Sequence, residues 1–330
     1  MKKILVTGGL GFIGSNFILH ILENYPNYKI INLDAQLIGS NKHNLINIKD
    51  NKNYQFVKGN ITNQRLVEKL VSKSDVVFNF AAESHVDRSI SDPRPFMDSN
   101  ILGVYTILES IKKFKKQLIQ ISTDEVFGSL KNQSADENYR FNPSSPYAAS
   151  KASAELLVQS YVTTYDCKAI TTRCTNNYGP RQSPEKLIPK VIILAEKNKK
   201  IPIYGKGTNI RDWIFVEDHC KALLKIYFDG KLGQSYNIST SNEIDNLTVV
   251  KNILKIMGKS NELIQLVTDR PGHDYRYSLD SSKIRKELHW KPSYNFEKGL
   301  EYTVDWYMKN KKNLENISNK QFSSIPWKTR

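Results

Sequence analysis

The amino-terminal half of the chain alternates short runs of β-branched and other apolar residues with longer stretches of helical periodicity. Lys3–Thr7 precedes an apolar helix over Phe12–Leu22, and Lys29–Leu33 resumes the strand pattern. The alternation continues through strands predicted at Tyr54–Val57, Val76–Ala81 and Leu118–Ser122 and helices predicted at Gln64–Val71 and Phe96–Lys113. Continuous apolar strands separated by helices are typical of a parallel sheet that helices cover on both faces. Because such crossovers are right-handed, the pattern predicts a doubly wound α/β fold.

The character of the sequence changes near Pro180, where prolines become frequent and the predicted elements shorter. We interpret Asn176–Pro184 as the crossing from a first domain, residues 1–178, into a smaller α/β lobe, residues 179–330. The segment near 213–238 again reads strand, helix, strand, and it is a candidate to return to the first domain. A ligand is expected between the two lobes, at the carboxyl ends of the strands.

Composition narrows the classes of function. The chain is 39% hydrophobic and 25% charged, and no apolar run reaches the roughly 18 to 20 residues of a membrane-spanning helix, so no membrane partner is expected. The first residues do not form a signal peptide, and three cysteines without a C-x-x-C pair favour reduced thiols in the cytoplasm. No spacing of His, Cys and carboxylates predicts a metal site. The net charge of +15 comes from scattered lysines, and we therefore expect no nucleic-acid partner.

A glycine-rich turn follows the first predicted strand and opens the first predicted helix. It reads Gly8-Gly9-Leu10-Gly11-Phe12-Ile13-Gly14, and glycines there let backbone N–H groups and the helix N-terminus approach a pyrophosphate. A purely structural turn would need the same glycines, but Asp34 ends the next strand, 20 residues beyond Gly14. A carboxylate there accepts hydrogen bonds from a ribose 2′-hydroxyl and repels a 2′-phosphate. The pattern predicts NAD, rather than NADP, on a Rossmann-like fold.

Tyr147 and Lys151 lie one helical turn apart at the start of a predicted helix, so both side chains project from one face. An ammonium near a phenol stabilises the phenolate, and we expect Lys151 to lower the pKa of Tyr147 toward that of a working base. An isolated pair of this kind is commonly a surface feature. Beside a dinucleotide fold, Tyr-x-x-x-Lys is instead the active pair of the short-chain dehydrogenase/reductase superfamily, which this chain resembles.

The strand predicted at Leu118–Ser122 leads into Thr123, Asp124 and Glu125. Two neighbouring acids at the end of a buried strand each need solvent or a partner. A solvated loop would supply the solvent. Alternatively, the two acids serve as an acid and a base whose surroundings separate their pKa values.

Almost end to end, the chain resembles the dTDP-glucose 4,6-dehydratases, which are extended short-chain dehydrogenases/reductases. The motifs that carry the resemblance are TGGLGFIGSNF, FAAESHVDRSI, STDEVFG, PSSPYAASKA, RCTNNYGP, PEKLIP, PIYGKG, RDWIFVEDH and DRPGHDYRYSLD. The resemblance implies NAD-mediated oxidation of dTDP-glucose at C4, loss of water across C5 and C6, and return of hydride to C6. The implied product is dTDP-4-keto-6-deoxyglucose, an intermediate of deoxysugar routes such as dTDP-rhamnose synthesis.

The resemblance also implies roles for individual residues. Tyr147 acts as base on the C4 hydroxyl, Lys151 tunes Tyr147 and holds a ribose, and Thr123 polarises the C4 oxygen. Glu125 takes the C5 proton, and Asp124 donates a proton to the departing C6 hydroxyl. The cofactor-binding positions are Gly8, Gly11, Phe12, Ile13, Gly14, Asp34, Asn60, Ile61, Ala81, Ala82, Ser99, Tyr147, Lys151 and Asn177. The substrate-binding positions are Ser84, Thr123, Asp124, Glu125, Asn176, Lys186, Leu187, Pro202, Tyr204, Arg211, Asn237, Arg270 and His273.

Members of this family are typically homodimers, so a homodimer is expected. The chain departs from the family's pattern at residues 35–40, at Asn60 in place of the usual aspartate and at Phe127 in place of tyrosine. Other hypotheses remain open at this point: a dehydratase that acts on a UDP-linked sugar, a sugar-nucleotide 4-epimerase, and a non-catalytic NAD-binding module. The acid pair counts against an epimerase, which needs no elimination acid and base.

Overall fold

The computed structural model describes residues 1–311. Its strands are β1 (Lys2–Thr7), β2 (Tyr28–Asp34), β3 (Tyr54–Lys58), β4 (Val76–Asn79), β5 (Gln117–Thr123), β6 (Ala169–Cys174), β7 (Asn176–Tyr178), β8 (Ile201–Tyr204), β9 (Ile210–Phe215), β10 (Ser235–Ile238), β11 (Glu243–Asp245) and β12 (Ile264–Val267). Its helices are α1 (Phe12–Asn24), α2 (Gln64–Ser72), α3 (Val86–Ser91), α4 (Arg94–Phe96), α5 (Gly103–Phe114), α6 (Pro146–Tyr165), α7 (Leu187–Glu196), α8 (Val216–Asp229), α9 (Asn246–Ile256), α10 (Ser282–Leu288) and α11 (Phe296–Lys309).

Within the described residues, seven parallel strands form one sheet in the order β10-β6-β5-β4-β1-β2-β3. The order reverses between β1 and β4, which pair directly in register from Ile4 opposite Val76. Such a reversal leaves a crevice at the carboxyl ends of the two strands, where open α/β sheets bind ligands. The doubly wound, Rossmann-like fold predicted from the sequence is confirmed.

Apolar layers cover both faces of this sheet. Phe17 and Ile21 of α1 join Leu223 of α8 on one face, and all three side chains are buried. On the other face, Val67 of α2 and Ile107 of α5 are buried against the sheet. Because the central strands β1, β2, β4 and β5 are enclosed on both sides, they are largely apolar rather than alternating.

A smaller group of elements lies beyond β6. It contains a three-stranded sheet in the order β11-β9-β7 and a parallel pair formed by β8 and β12. These strands share a second core with α7, α9 and α11. The polypeptide between them returns to the main sheet, since α8 packs on α1 and β10 pairs with β6. The division at residues 178 and 179 stays a prediction, and residues 312–330 of the predicted second lobe lie outside the described residues.

Two predicted elements differ from the structure. The strand predicted at Val76–Ala81 ends at Asn79, because the backbone leaves the sheet to line a cavity. The helix predicted over Phe96–Lys113 is interrupted by a wider π-helical turn at Met97–Leu102. In that turn the amide of Asn100 bonds the backbone N–H and carbonyl of Glu83 at 2.9 and 3.0 Å. These tertiary contacts, which periodicity does not reveal, fix the irregular turn.

Candidate active site

A cavity of about 300 Å³ opens at the carboxyl ends of the central strands, within the range of small-molecule sites. All of the predicted cofactor positions line it: Gly8, Gly11, Phe12, Ile13, Gly14, Asp34, Asn60, Ile61, Ala81, Ala82, Ser99, Tyr147, Lys151 and Asn177. The predicted substrate positions that line it are Ser84, Thr123, Asp124, Glu125, Asn176 and Lys186. The cavity thus brings together side chains from widely separated parts of the sequence.

The glycine turn between β1 and α1 has no room for side chains. Gly8 adopts a φ of +68°, and a Cβ there would lie 2.7 Å from the backbone of Ala81. A Cβ on Gly14 would lie 2.6 Å from the carbonyl oxygen of Gly8. The turn therefore presents bare backbone and the N-terminus of α1 to the cavity. This is the geometry that a dinucleotide's pyrophosphate requires, so the residues present fit NAD.

Asp34 lies at the end of β2 and anchors the loop that follows. One carboxylate oxygen accepts the N–H of Leu10 at 3.0 Å, and the other accepts the N–H of Gln36 at 2.8 Å and the hydroxyl of Ser40 at 2.7 Å. The acid is buried, and both of its carboxylate oxygens accept hydrogen bonds. It fixes both the glycine turn and the divergent loop 35–40 on the rim of the cavity.

Thr123, Asp124 and Glu125 turn the chain at the end of β5. The Thr123 hydroxyl donates to Asp124 at 3.1 Å, while the N–H of Glu125 lies 3.3 Å from the same hydroxyl oxygen. Burial, and then the charge of Glu125, raise the pKa of Asp124 to about 7. Burial also raises the pKa of Glu125, and this shift is opposed first by Arg270 and then by Lys186. The two acids consequently have different surroundings although they are neighbours in the chain.

Tyr147 and Lys151 project from the first two turns of α6. Ser145 caps this helix by accepting the N–H of Ala148 at 3.1 Å. The Lys151 ammonium donates to the carbonyl of Ile121 at 2.7 Å, and burial lowers its pKa to about 8. The pKa of Tyr147 is raised well above its ordinary value by burial and then by the charge of Glu125. The net shift of the Tyr147 pKa is therefore opposite in direction to the lowering expected from Lys151, because burial dominates it.

The three cationic residues that were predicted to bind the substrate lie in different environments. Lys186 lines the cavity and donates to the carbonyl of Ser84 at 2.9 Å. Arg270 pairs with Asp87 at 2.9 Å, and its Nε has no partner among the described residues. Arg211 is buried, and its guanidinium donates to three backbone carbonyls between 2.7 and 3.2 Å. Lys186 and Arg270 thus retain more capacity for an anionic ligand than Arg211 does.

The remaining predicted substrate residues lie outside the lining of the cavity: Leu187, Pro202, Tyr204, Arg211, Asn237, Arg270 and His273. Tyr204 donates to Asp87 at 3.3 Å, and His273 lies 2.6 Å from Asp269. Asn237 is fully buried in β10 and donates to the carbonyl of Ala135 at 2.9 Å. Their roles toward a substrate stay predictions.

Comparison with known proteins identifies the family. A family model described as GDP-mannose 4,6 dehydratase matches residues 5–303. The dTDP-glucose 4,6-dehydratase of Mycolicibacterium smegmatis is 44% identical over 312 residues, which cover 93% of this chain and 94% of that protein. The chain belongs to the dTDP-glucose 4,6-dehydratase family. This confirms the family predicted from the sequence motifs.

Two further comparisons also span nearly the whole chain. A crystal structure of dTDP-glucose 4,6-dehydratase from Bacillus anthracis in complex with NAD has a TM-score of 0.90 and 46% identity, and the match covers 94% of this chain and 98% of that one. The low-salt glycan biosynthesis protein Agl12 of Haloferax volcanii is 45% identical over 92% of this chain and 98% of its own. Because the similarity spans nearly the full length of each protein, it includes both the sheet and the second lobe.

Sequence reasoning did not assign several charged and hydroxyl side chains around this dehydratase site. Asp87 lies in the motif FAAESHVDRSI and pairs with Arg270 across the cleft. Asp274 and Tyr277 lie in the motif DRPGHDYRYSLD, and Tyr277 approaches Glu125 at 3.4 Å. Both motifs indicated the family. A motif does not by itself show which of its polar side chains point toward the site, so these contacts were not predictable from it.

Residues 1–311 contain neither a candidate metal site nor a membrane-spanning helix. In this part of the chain no group of His, Cys, Asp and Glu side chains could hold a metal ion. Nor does any helix in it combine the length and the apolar character needed to cross a bilayer.

Proposed function

We propose that the protein is an NAD-dependent dTDP-glucose 4,6-dehydratase, a hydro-lyase that forms dTDP-4-keto-6-deoxyglucose. The observation that carries the proposal is the meeting of Asp124 and Glu125 with Tyr147 and Lys151 in one cavity. The Tyr–Lys pair serves oxidation and reduction of a hydroxyl, whereas an acid and a base side by side serve the loss of water. Its relatives of known structure and sequence carry the same name.

The glycine turn and Asp34 would hold NAD, and Lys151 and Asn177, which line the same cavity, would bind its nicotinamide ribose. When bound, this cofactor supplies a hydride acceptor for C4 of the sugar and a hydride donor for C6. The chain positions these groups with rigid elements. Asn177 is held by His219 at 2.8 Å, and Lys151 by the end of β5.

Tyr147 removes the proton of the C4 hydroxyl in the proposed mechanism. Its phenol is buried, and burial raises its pKa well above the ordinary value. The positive charges of Lys151 and of a bound nicotinamide ring would oppose that shift. Thr123 stands at the end of β5 and its hydroxyl donates to Asp124. In this arrangement its oxygen can accept the C4 hydroxyl, and it can donate to the C4 oxygen only by turning from Asp124. Lys151 stays close to Tyr147 on the same face of α6 and favours its ionised form.

The acid pair then removes water. A C4 ketone makes the neighbouring C5 proton acidic, and Glu125 takes that proton. Asp124, whose pKa of about 7 keeps much of it protonated at neutral pH, gives a proton to the departing C6 hydroxyl. The buried site excludes bulk water from the reactive intermediate. Lys186 and Arg270 are proposed to bind the substrate's diphosphate, Arg270 through a planar fork and Lys186 as a point charge.

We also propose that the protein is a cytoplasmic homodimer paired through α5 and α6. Leu102, Tyr105, Leu156 and Tyr165 lie on or beside these two helices and are 45–55% exposed. Large apolar side chains grouped on neighbouring helices are typical of an interface between protein chains. The cysteines at 167, 174 and 220 are free and buried, which suits a reducing compartment.

Incubation of the purified protein with dTDP-glucose and no added NAD is expected to give the 4-keto-6-deoxy sugar nucleotide, because the cofactor is regenerated in each cycle. Proton NMR of the product measures the reaction, and the double variant Asp124→Asn, Glu125→Gln is the matched control. Absence of product even with NAD supplied would overturn the proposal. Faster turnover of a UDP-linked sugar in the same assay would favour that alternative, and inversion at C4 without loss of water would indicate an epimerase.

A further inference from the structure

A row of hydrogen-bonding side chains leads away from Glu125. The Tyr277 hydroxyl lies 3.4 Å from Oε2 of Glu125 and donates to Oδ2 of Asp274 at 2.7 Å. The same carboxylate oxygen of Asp274 accepts the hydroxyl of Ser144. Four oxygen-bearing side chains thus stand in sequence, although their residues come from three separate stretches of the chain.

The two ends of this row face different surroundings. Glu125 lines the cavity. Tyr277 and Asp274 are only 3% and 7% exposed, so the middle of the row is closed to bulk water. Ser144 is exposed to solvent, in the loop that precedes α6. The row therefore connects a residue that lines the cavity with a solvent-exposed side chain.

We propose that Tyr277, Asp274 and Ser144 form a proton relay that connects Glu125 with bulk water while the cavity is filled by substrate. The inference rests on the proposed function, in which Glu125 takes the C5 proton of the sugar. Tyr277, Asp274 and Ser144 act through Glu125 and do not touch the sugar, so they are positioning residues.

The surrounding structure holds the relay in place. The guanidinium of Arg211 lies over the Tyr277 ring, 4.1 Å from its centre, and donates to the Asp274 carbonyl at 2.9 Å. Asn209 donates to the same carbonyl at 3.1 Å. A Cβ on Gly272 would lie 3.3 Å from the backbone carbonyl of Ser144, which shows how closely the two loops approach. Arg211 thus serves in the structure to orient Tyr277 and Asp274.

The phenol can serve either protonation state of Glu125. A hydroxyl has one proton to donate and lone pairs to accept. When Tyr277 donates to Glu125, it stabilises the ionised base before C5 is deprotonated. When it donates to Asp274, it offers a lone pair to the protonated Glu125 that results. The structure has the second arrangement, because the hydrogen bond from Tyr277 to Asp274 is shorter than its contact with Glu125.

The transfer balances at each link. The proton on Glu125 passes to the Tyr277 oxygen as the phenolic proton passes to the Asp274 carboxylate. The proton on Asp274 then passes to the Ser144 oxygen as the Ser144 hydroxyl proton passes to water. One proton leaves Glu125, and one proton enters bulk water. Each relay group ends with its starting number of protons, and rotation of the Tyr277 and Ser144 hydroxyls then restores their starting orientations. The reverse sequence returns a solvent proton to Glu125 for delivery to C5.

The test is the isotope content of the product when the enzyme converts dTDP-glucose in deuterium oxide. With a working relay, Glu125 exchanges its proton before C5 is reprotonated, and the product carries deuterium at C5. Tyr277→Phe keeps the aromatic ring beneath Arg211 but removes the hydroxyl. We expect exchange in this variant to slow by about tenfold or more, so that more of the original hydrogen returns to C5.

The control is Tyr275→Phe, which removes a phenol from an exposed side chain two residues away. The control is expected to match the parent in C5 deuterium, whereas Tyr277→Phe retains product formation with less deuterium. Equal deuterium in Tyr277→Phe and the parent would overturn the relay and leave the proposed function standing. If Tyr277→Phe fails to fold, the same comparison with Ser144→Ala, at the exposed end, decides the question. Failure of the parent itself to form product overturns the proposed function, and with it the relay.

Discussion

Asp124 and Glu125 are consecutive residues whose carboxyl groups have unlike neighbours. Asp124 is held by the Thr123 hydroxyl and has one carboxyl oxygen without a partner among the described residues. Glu125 is influenced by Arg270 and Lys186, which favour its ionised form. Because a sharp turn follows β5, the two side chains leave the backbone in different directions. A single corner of the chain can therefore supply both an acid and a base.

Replacement of the proposed base is expected to separate the two halves of the reaction. Glu125→Gln keeps the shape of the side chain but removes its basicity, so loss of deuterium from C5-deuterated dTDP-glucose should slow by about 10²- to 10⁴-fold. Oxidation at C4 should continue. Mass spectrometry of recovered substrate measures the label, and Glu68→Gln on α2, paired with Lys113 at 2.6 Å, is the control. Undiminished loss of deuterium would remove Glu125 from the role of base.

The raised pKa of Asp124 predicts a pH-dependent stability. The folded protein keeps this proton up to about pH 7, whereas the unfolded chain releases it near the ordinary value of 3.8. Asp124→Asn should therefore match the parent in free energy of unfolding near pH 4 and exceed it increasingly up to pH 7. The full difference is of the order of 4 kcal/mol. Urea unfolding measures it.

Asp50→Asn is the control for this measurement, because the Asp50 side chain is 88% exposed. A constant difference between Asp124→Asn and the parent across this pH range would contradict the raised pKa. In the proposed mechanism the same group must be protonated, so kcat is expected to fall as the pH rises through about 7.

At the scale of elements, one buried face of α6 presents both the Tyr–Lys pair and the side chain that anchors the helix to the sheet. Tyr147, Lys151 and Glu155 follow one another at intervals of four residues, and all three are buried. Glu155 pairs with Arg173 of β6 at 2.7 Å, and the guanidinium lies 5.0 Å from the centre of the Phe127 ring. The helix that presents Tyr147 and Lys151 is therefore tied to the sheet by an ion pair one turn beyond Lys151.

Loss of one partner of this ion pair should destabilise the fold strongly. Glu155→Ala leaves Arg173 charged and buried, and we expect the free energy of unfolding to fall by about 3–5 kcal/mol. Asp305→Ala, which breaks the exposed pair with Lys309 on α11, should lower it by less than about 1 kcal/mol. The double variant Glu155→Leu, Arg173→Met should recover much of the loss. Urea unfolding measures all of these changes, and a small effect of Glu155→Ala would contradict the argument.

The central strands were predictable from sequence because burial on both faces makes them largely apolar. The predicted Leu118–Ser122 omits one residue at each end of β5, and Tyr54–Val57 omits the last residue of β3, a mostly exposed strand at the edge of the sheet. The π-helical turn before α5 was not predictable, since contacts of Asn100 with Glu83 fix it. Local periodicity carries the information for regular elements but not for bends that distant residues impose.

For the molecule as a whole, the sequence predicted the parts of the site that lie in short motifs. The glycine turn, the acid pair and the Tyr–Lys pair are each local patterns, and the structure brings them into one cavity. The neighbours of Glu125 are not local. Ser144 and Asp274 are bonded although 130 residues separate them in the chain. No spacing rule connects such residues, and the second lobe has to fold against the first before they meet.

The hydrogen bonds around Asp34 also bear on attempts to engineer this protein. The acid ties down the glycine turn through Leu10 and the following loop through Gln36 and Ser40. Exchanging it for a neutral residue to admit a phosphorylated ribose would release both segments at once. A variant that accepts NADP therefore calls for redesign of residues 34–40 as a unit, with new donors and acceptors to replace those that the carboxylate now satisfies.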